Sequence, residues 1–159
     1  MFDRISIIGC GLIGSSILRA LKEKDIAKEV CVHDNSDEVL SFLKKKNLCK
    51  NITKDINTCV KNSDLIIIAS PLSSYKEIIL SIKENLKSGA ILTDTGSVKC
   101  KVNSIIENMN LKNVTWLGSH PIAGTEESGP SAGFSKLFEN RWCIISPAEE
   151  TRKKEINKL

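Results

Sequence analysis

Residues Gly9-Cys10-Gly11-Leu12-Ile13-Gly14 space three glycines as G-x-G-x-x-G. They stand between the apolar run Ile5-Ser6-Ile7-Ile8 and a stretch of helical periodicity. In that context few folds remain open. The first glycine allows a tight turn, the second lets a ligand approach the backbone, and the third lets the helix pack closely on the sheet. A strand, turn and helix of this kind open a βαβ unit, and such units build a parallel sheet with helices on its faces.

The rest of the chain repeats that alternation. Val30-Cys31-Val32 reads as a second strand, and Asp37–Lys46 as a helix with Val39, Leu40 and Leu43 inward. The stretch 48–61 holds a short strand and a short helix. Leu65-Ile66-Ile67-Ile68-Ala69 is a strand stopped by Pro71, and Tyr75–Lys87 a helix with Ile78, Ile79, Ile82 and Leu86 on one face. Strands are expected over Ala90–Thr93, Val114–Leu117 and Trp142–Ile145. Between the first two lies a helix over Val98–Met109, with Val98, Val102, Ile105, Ile106 and Met109 at helical spacing. The first helix, Leu12–Lys24, sets Ile13, Ile17, Leu18 and Leu21 on one side. Continuous apolar strands between amphipathic helices imply an α/β fold of the Rossmann type, doubly wound, with a mostly parallel sheet and helices on both faces. Residues 1–147 are read as this dinucleotide-binding domain. Residues 148–159, acidic at first and basic later, are read as the start of a helical connector to a further domain, with little apolar face in Ile156 and Leu159.

Composition narrows the partners. The 159 residues are 41% hydrophobic and 26% charged, which suits one packed domain, and with only 4% aromatics the core must be Ile, Leu and Val. The net charge of +4 comes from bases scattered among acids, so no nucleic-acid partner is expected. The six cysteines include no C-x-x-C pair, and His33 and His120 do not complete a zinc set. Cys31 and Cys143 fall in apolar runs and are expected to be buried. No signal peptide or apolar span of about 18 residues is read, so the expected setting is the reducing cytoplasm, off the membrane.

The glycine motif points to NAD as cofactor. Gly9, Gly11, Leu12, Ile13 and Gly14 form the turn and the helix start that would hold a pyrophosphate. Asp34 ends the second strand, 20 residues beyond Gly14, where a carboxylate accepts hydrogen bonds from a ribose 2′-hydroxyl and so favours NAD over NADP. Its alternative reading is a helix cap or turn residue. Two further segments lie at carboxyl ends of strands, the edge where open α/β sheets bind ligands. They are Asp94-Thr95-Gly96-Ser97-Val98-Lys99 and the loop Gly118-Ser119-His120-Pro121-Ile122-Ala123-Gly124-Thr125-Glu126.

In order and spacing, "GCGLIG", "DTGSVK" and "GSHPIAGTEESG" resemble the prephenate/arogenate dehydrogenase family, over nearly the whole chain; "RWCIISP" resembles the last strand of that family's first domain. The resemblance implies oxidative decarboxylation of a cyclohexadienol in tyrosine and other aromatic amino acid biosynthesis, with NAD accepting the hydride. Prephenate is the expected substrate, and arogenate the alternative. The resemblance makes His120 the base for the hydroxyl proton, a role that suits an imidazole with an ordinary pKa of about 6.5. Ser97 would contact the substrate hydroxyl and nicotinamide, or else cap the following helix. Thr125 and Glu126 would stand at the substrate entrance, or be turn residues. Ser70 and Pro71, with Gly96, would flank the nicotinamide ribose, or simply end a strand. Lys99 is read as an exposed lysine. Members of the family carry a second, helical domain that forms the homodimer and supplies an arginine for the substrate carboxylate. The 159 residues alone are therefore expected to bind NAD and to turn over prephenate poorly. A β-hydroxyacid dehydrogenase and a non-catalytic nucleotide-binding fragment are the competing readings.

Overall fold

In the computed structural model, which describes residues 1–109, 111, 113–147, 151 and 153–159, seven strands form one sheet in the order β3-β2-β1-β4-β5-β6-β7. The strands are β1 (Phe2–Ile8), β2 (Ala27–His33), β3 (Asn51–Thr53), β4 (Leu65–Ile68), β5 (Ile91–Asp94), β6 (Thr115–Pro121) and β7 (Cys143–Pro147). The first six pair in parallel; β7 runs antiparallel to β6. The order reverses between β1 and β4, which is the switch point of a doubly wound sheet.

Successive side chains of a strand point to opposite faces, and here each face receives its own core. Ile5 and Ile7 of β1, Leu65 and Ile67 of β4 and Ile91 of β5 join one cluster. Their neighbours Ile8, Ile66, Ile68 and Leu92 join the other. The first face is covered by α1 (Leu12–Lys24), through Leu18 and Leu21, and by α2 (Asp37–Lys45), through Leu43. The second is covered by α3 (Ile56–Val60), α4 (Tyr75–Ile82) and α5 (Lys99–Glu107), through Val60, Ile79 and Val102. A fully buried Ile stabilises the fold by roughly 1.5–3 kcal/mol relative to an exposed one. This accounts for a stable core with so few aromatic rings.

Local signals set the helix ends. Ser36 caps α2, its hydroxyl accepting from the Val39 N–H at 3.3 Å, and Asp55 caps α3 by accepting from Asn57 N at 3.1 Å. Asp25 ends α1 at φ 50°, its N–H donating to the Leu21 carbonyl.

Several expectations are corrected. Helix α4 ends at Ile82 and tightens into a 3-10 turn over Lys83–Asn85. Val98 precedes α5 and is exposed instead of facing the core. On α1, Ser15 and Ser16 are buried where Ile13 is not. Cys143 is exposed, because β7 is an edge strand whose neighbours Trp142 (84%) and Ile144 (54%) also face solvent. Of the connector expected over 148–159, residues 148–150 and 152 lie outside the described residues. Lys153–Ile156 is a short helix, α6, whose Ile156 packs on the first core cluster, contrary to expectation. Among the described residues no helix is long and apolar enough to cross a membrane, and no group of three or more His, Cys, Asp or Glu could hold a metal ion.

Candidate active site

A cleft of about 860 Å³ opens along the carboxyl ends of the parallel strands. The glycine turn forms its floor. Gly9 takes φ +87°, and a Cβ there would stand 2.8 Å from Ser70 N and 2.9 Å from Ala69 C, so only glycine lets the turn meet the end of β4. A Cβ on Gly14 would fall 2.1 Å from the Gly9 carbonyl oxygen, which seats α1 directly on the turn. Gly11 is the N-cap of α1 and offers no side-chain cap, leaving the first helical N–H groups without an intrahelical acceptor. A Cβ added to Gly11 would meet nothing within 4 Å. Gly9, Gly11, Leu12 and Ile13 line the cleft, and Gly14 lies buried beneath it.

Asp34 fulfils the turn reading and also lines the cleft. Its Oδ2 accepts from Cys10 N at 2.8 Å and its Oδ1 from Ser36 N at 2.9 Å. The two amides aim the carboxylate and bind it to the glycine turn. Beside it stand two lining residues that the sequence reading left without a role, His33 and Lys54. His33 is 5% exposed, and its Nδ1 has no hydrogen-bond partner among the described residues. Burial holds its imidazole pKa below the ordinary value, against smaller opposing pulls from backbone groups and Asp34. Lys54 is paired with Asp37 at 2.6 Å. Alternation alone could have marked His33 as a strand residue, but not its place in the cleft.

Ser70, Pro71, Gly96, Ser97 and His120 line the opposite half of the cleft. His120 is not on a loop: β6 continues through Pro121, and His120 pairs with Ile144 of β7. A strand restrains the ring's aim more tightly than a loop does. Ser97 is exposed and does not cap α5, whose N-cap is Val98 with no side-chain bond, so its hydroxyl is available to a ligand. Thr125 and Glu126 are exposed and do not line the cleft; the Thr125 hydroxyl accepts from Glu127 N at 3.2 Å, a turn role. Glu127, Ser128 and Gly129 of the same segment reach the cleft instead. That segment then docks on α1: Phe134 N donates to the Ser16 hydroxyl at 3.1 Å, and the 3-10 turn Ser135–Phe138 follows.

The buried support beneath Ser97 and His120 was not anticipated. Lys99 is not an exposed lysine: its Nζ lies 2.5 Å and 2.6 Å from the two oxygens of Asp94, with the side chains 16% and 0% exposed. Asp94 also accepts from Gly96 N at 3.0 Å and from Ser119 N at 3.2 Å. Tyr75 is fully buried below Gly96, where a Cβ would stand 3.1 Å from the phenol oxygen; burial first, then the Asp94 carboxylate, raises the phenol pKa.

A parallel sheet with its switch point at a glycine turn, an acidic residue ending β2 and a cleft across the carboxyl edge define a nucleotide-binding domain of the doubly wound class. The family model described as prephenate dehydrogenase, nucleotide-binding domain, matches residues 17–159, and the chain belongs to that family. It is 38% identical over 151 residues to a cyclohexadienyl dehydrogenase of Zymomonas mobilis, covering 95% of this chain and 51% of the relative. It is 31% identical over 163 residues to a prephenate dehydrogenase of Bacillus subtilis, covering all of this chain and 43% of the relative. The crystal structure of Aquifex aeolicus prephenate dehydrogenase with hydroxyphenyl propionate and NAD+ superposes with a TM-score of 0.88 at 28% identity, over 99% of this chain and 55% of that one. The chain thus spans about half the length of the relatives it matches.

Proposed function

We propose that this chain is the NAD-binding half of an enzyme that oxidises and decarboxylates prephenate to 4-hydroxyphenylpyruvate in tyrosine biosynthesis. The observation that carries the reading is the placing of His120 and Ser97 on one cleft with the glycine turn and Asp34. The cleft fits a dinucleotide. Open space where a Gly11 side chain would point leaves the α1 N-terminus accessible to a pyrophosphate, and the Asp34 carboxylate suits a ribose diol better than a 2′-phosphate. NAD, when bound, supplies the two-electron acceptor.

The chain's own residues would do the rest. The Gly11–Gly14 turn and Asp34 hold the cofactor. Ser70, Pro71 and Gly96 border its nicotinamide end. The His120 imidazole takes the proton from the substrate hydroxyl, and the Ser97 hydroxyl holds that oxygen in place. Thr125 and Glu126 would act, if at all, at the outer rim. Residues 1–147 form the cofactor domain in this reading, and 148–159 begin a connector to a helical domain that completes the substrate site and forms a cytoplasmic homodimer. The exposed Trp142 and Ile144 support a covering element on β7, since apolar side chains exposed side by side commonly mark contact surfaces. Arogenate is the alternative substrate, and the Zymomonas relative's name, which specifies neither acid, favours assaying both.

The test is prephenate- and arogenate-dependent NADH formation by the full-length protein. His120→Asn should lower kcat by about 10²–10⁴-fold, the usual contribution of a general base. An unchanged rate would remove His120 from the proton transfer.

A further inference from the structure

We propose that Asp94 is a positioning residue that ties the Ser97 loop to the His120 strand, with the Lys99 ammonium paired to both of its carboxylate oxygens. The proposal deepens the reading above and rests on it for its kinetic part. Asp94 ends β5, is completely buried, and spends each oxygen on a different element. Oδ2 accepts from Gly96 N at 3.0 Å, the amide immediately before Ser97. Oδ1 accepts from Ser119 N at 3.2 Å, the amide immediately before His120. Lys99 Nζ bridges both oxygens at 2.5 Å and 2.6 Å.

Two more contacts tighten the junction. The Ser119 hydroxyl donates to the Asp94 main-chain carbonyl at 2.6 Å. The Lys99 stem lies against Gly118, where a Cβ would come within 3.3 Å of Lys99 Cδ. Each of the two residues assigned to the substrate hydroxyl thus follows directly on a residue that this one carboxylate holds.

The chemistry calls for an ionised carboxylate in particular. Two amides on two different oxygens need two acceptors; an asparagine offers one acceptor and one donor, so one amide must lose its partner. A buried carboxylate without a cation is strongly disfavoured, and Lys99 supplies that cation without needing to reach the substrate. The arrangement fixes the relative position of two groups from separate elements, and a misplacement of about 1 Å in such groups can slow a reaction by about 100-fold.

The test uses the full-length protein carrying Asp94→Asn with Lys99→Met, which removes both charges at nearly constant volume and keeps the stem against Gly118. NAD affinity should fall far less than kcat, by no more than about threefold, because the glycine turn and Asp34 carry the pyrophosphate and ribose contacts and Asp94 holds only Gly96, at the nicotinamide end. The KM for the cyclohexadienol should also stay within about threefold, while kcat falls about 100-fold. Amide hydrogen exchange should quicken about tenfold at Gly96 or Ser119. A kcat within threefold of the unmodified protein overturns the proposal. So does a matching loss of NAD affinity, which would make the pair a scaffold of the cofactor site.

If the double variant does not fold, Asp94→Asn alone, which keeps an acceptor for Lys99, reads the same quantities. In the unmodified protein the Gly96 and Ser119 amides should exchange more slowly than that of exposed Ser97; equal exchange overturns the proposal without any variant. If the unmodified protein turns over neither prephenate nor arogenate, the functional reading fails, and the exchange data still decide whether Asp94 joins the two elements.

Discussion

Two alanine substitutions in the same turn should separate binding from folding. At Gly11 the backbone is at φ −70°, ψ −150°, which any residue adopts, and an added Cβ would touch nothing within 4 Å. Alanine is a poorer N-cap than glycine, at a cost of less than about 1 kcal/mol. Restricting the unfolded chain returns about 0.4–1 kcal/mol. The two nearly cancel, so Gly11→Ala should leave stability within about 0.5 kcal/mol while placing a methyl where the pyrophosphate would lie. Gly14 differs. Alanine gains about 1 kcal/mol of helix propensity there. Its Cβ, however, falls 2.1 Å from the Gly9 carbonyl oxygen, more than 1 Å inside normal contact, and that atom is rigid backbone. Overpacking typically costs about 1–3 kcal/mol and can cost more, so the clash wins. At a domain of this size each 1 kcal/mol moves Tm by about 2–4 °C. Urea unfolding followed by tryptophan fluorescence, with NAD titration by calorimetry, reads both quantities. Gly11→Ala should weaken NAD at least tenfold at unchanged stability, whereas Gly14→Ala should lower both. Unaltered NAD binding in Gly11→Ala would refute the placing of the pyrophosphate. A Gly14→Ala protein as stable as the parent would refute the packing argument.

Two other outcomes follow from the same surroundings. His33 has a folded-state pKa depressed by burial, so the unfolded chain takes up its proton first. The associated stability is fully present above about pH 6.5 and is lost as pH falls towards the lower folded value. Urea midpoints between pH 8 and pH 5 should decline on the acid side, and less steeply in His33→Leu; parallel curves would contradict this. Gly133→Ala puts a Cβ 2.1 Å from the Ser15 hydroxyl, which can rotate, and 3.1 Å and 3.2 Å from Ser16 N and Ser15 C, backbone of α1 that cannot, so it should loosen the docking of this segment on α1 and cost about 1 kcal/mol or more. An unmoved urea midpoint would show that α1 yields without cost.

Much of this protein was decided by residues near one another in the chain. The G-x-G-x-x-G turn, the apolar runs of β1 and β4 and the periodicity of α1 and α2 each express a local rule, and the alternation of strands and helices specified the doubly wound class. That Asp34 would line the cleft was legible because its distance from the turn is set by one βαβ unit, and that His120 would do so was legible because its segment was placed at the carboxyl end of a strand. The rest depended on which elements meet. Lys99 read as exposed because a lysine's neighbours in sequence do not reveal a carboxylate across the β5 turn. Cys143 read as buried because an apolar run does not announce an edge strand, and His120 read as a loop residue because only β7, folding back antiparallel, extends β6 past it. His33, Lys54 and Asp94 took their places in or under the cleft through crossovers that bring distant segments to one sheet edge. Sequence pattern reports the faces of single elements, whereas burial, ion pairing and the convergence of side chains are properties of the contacts between them.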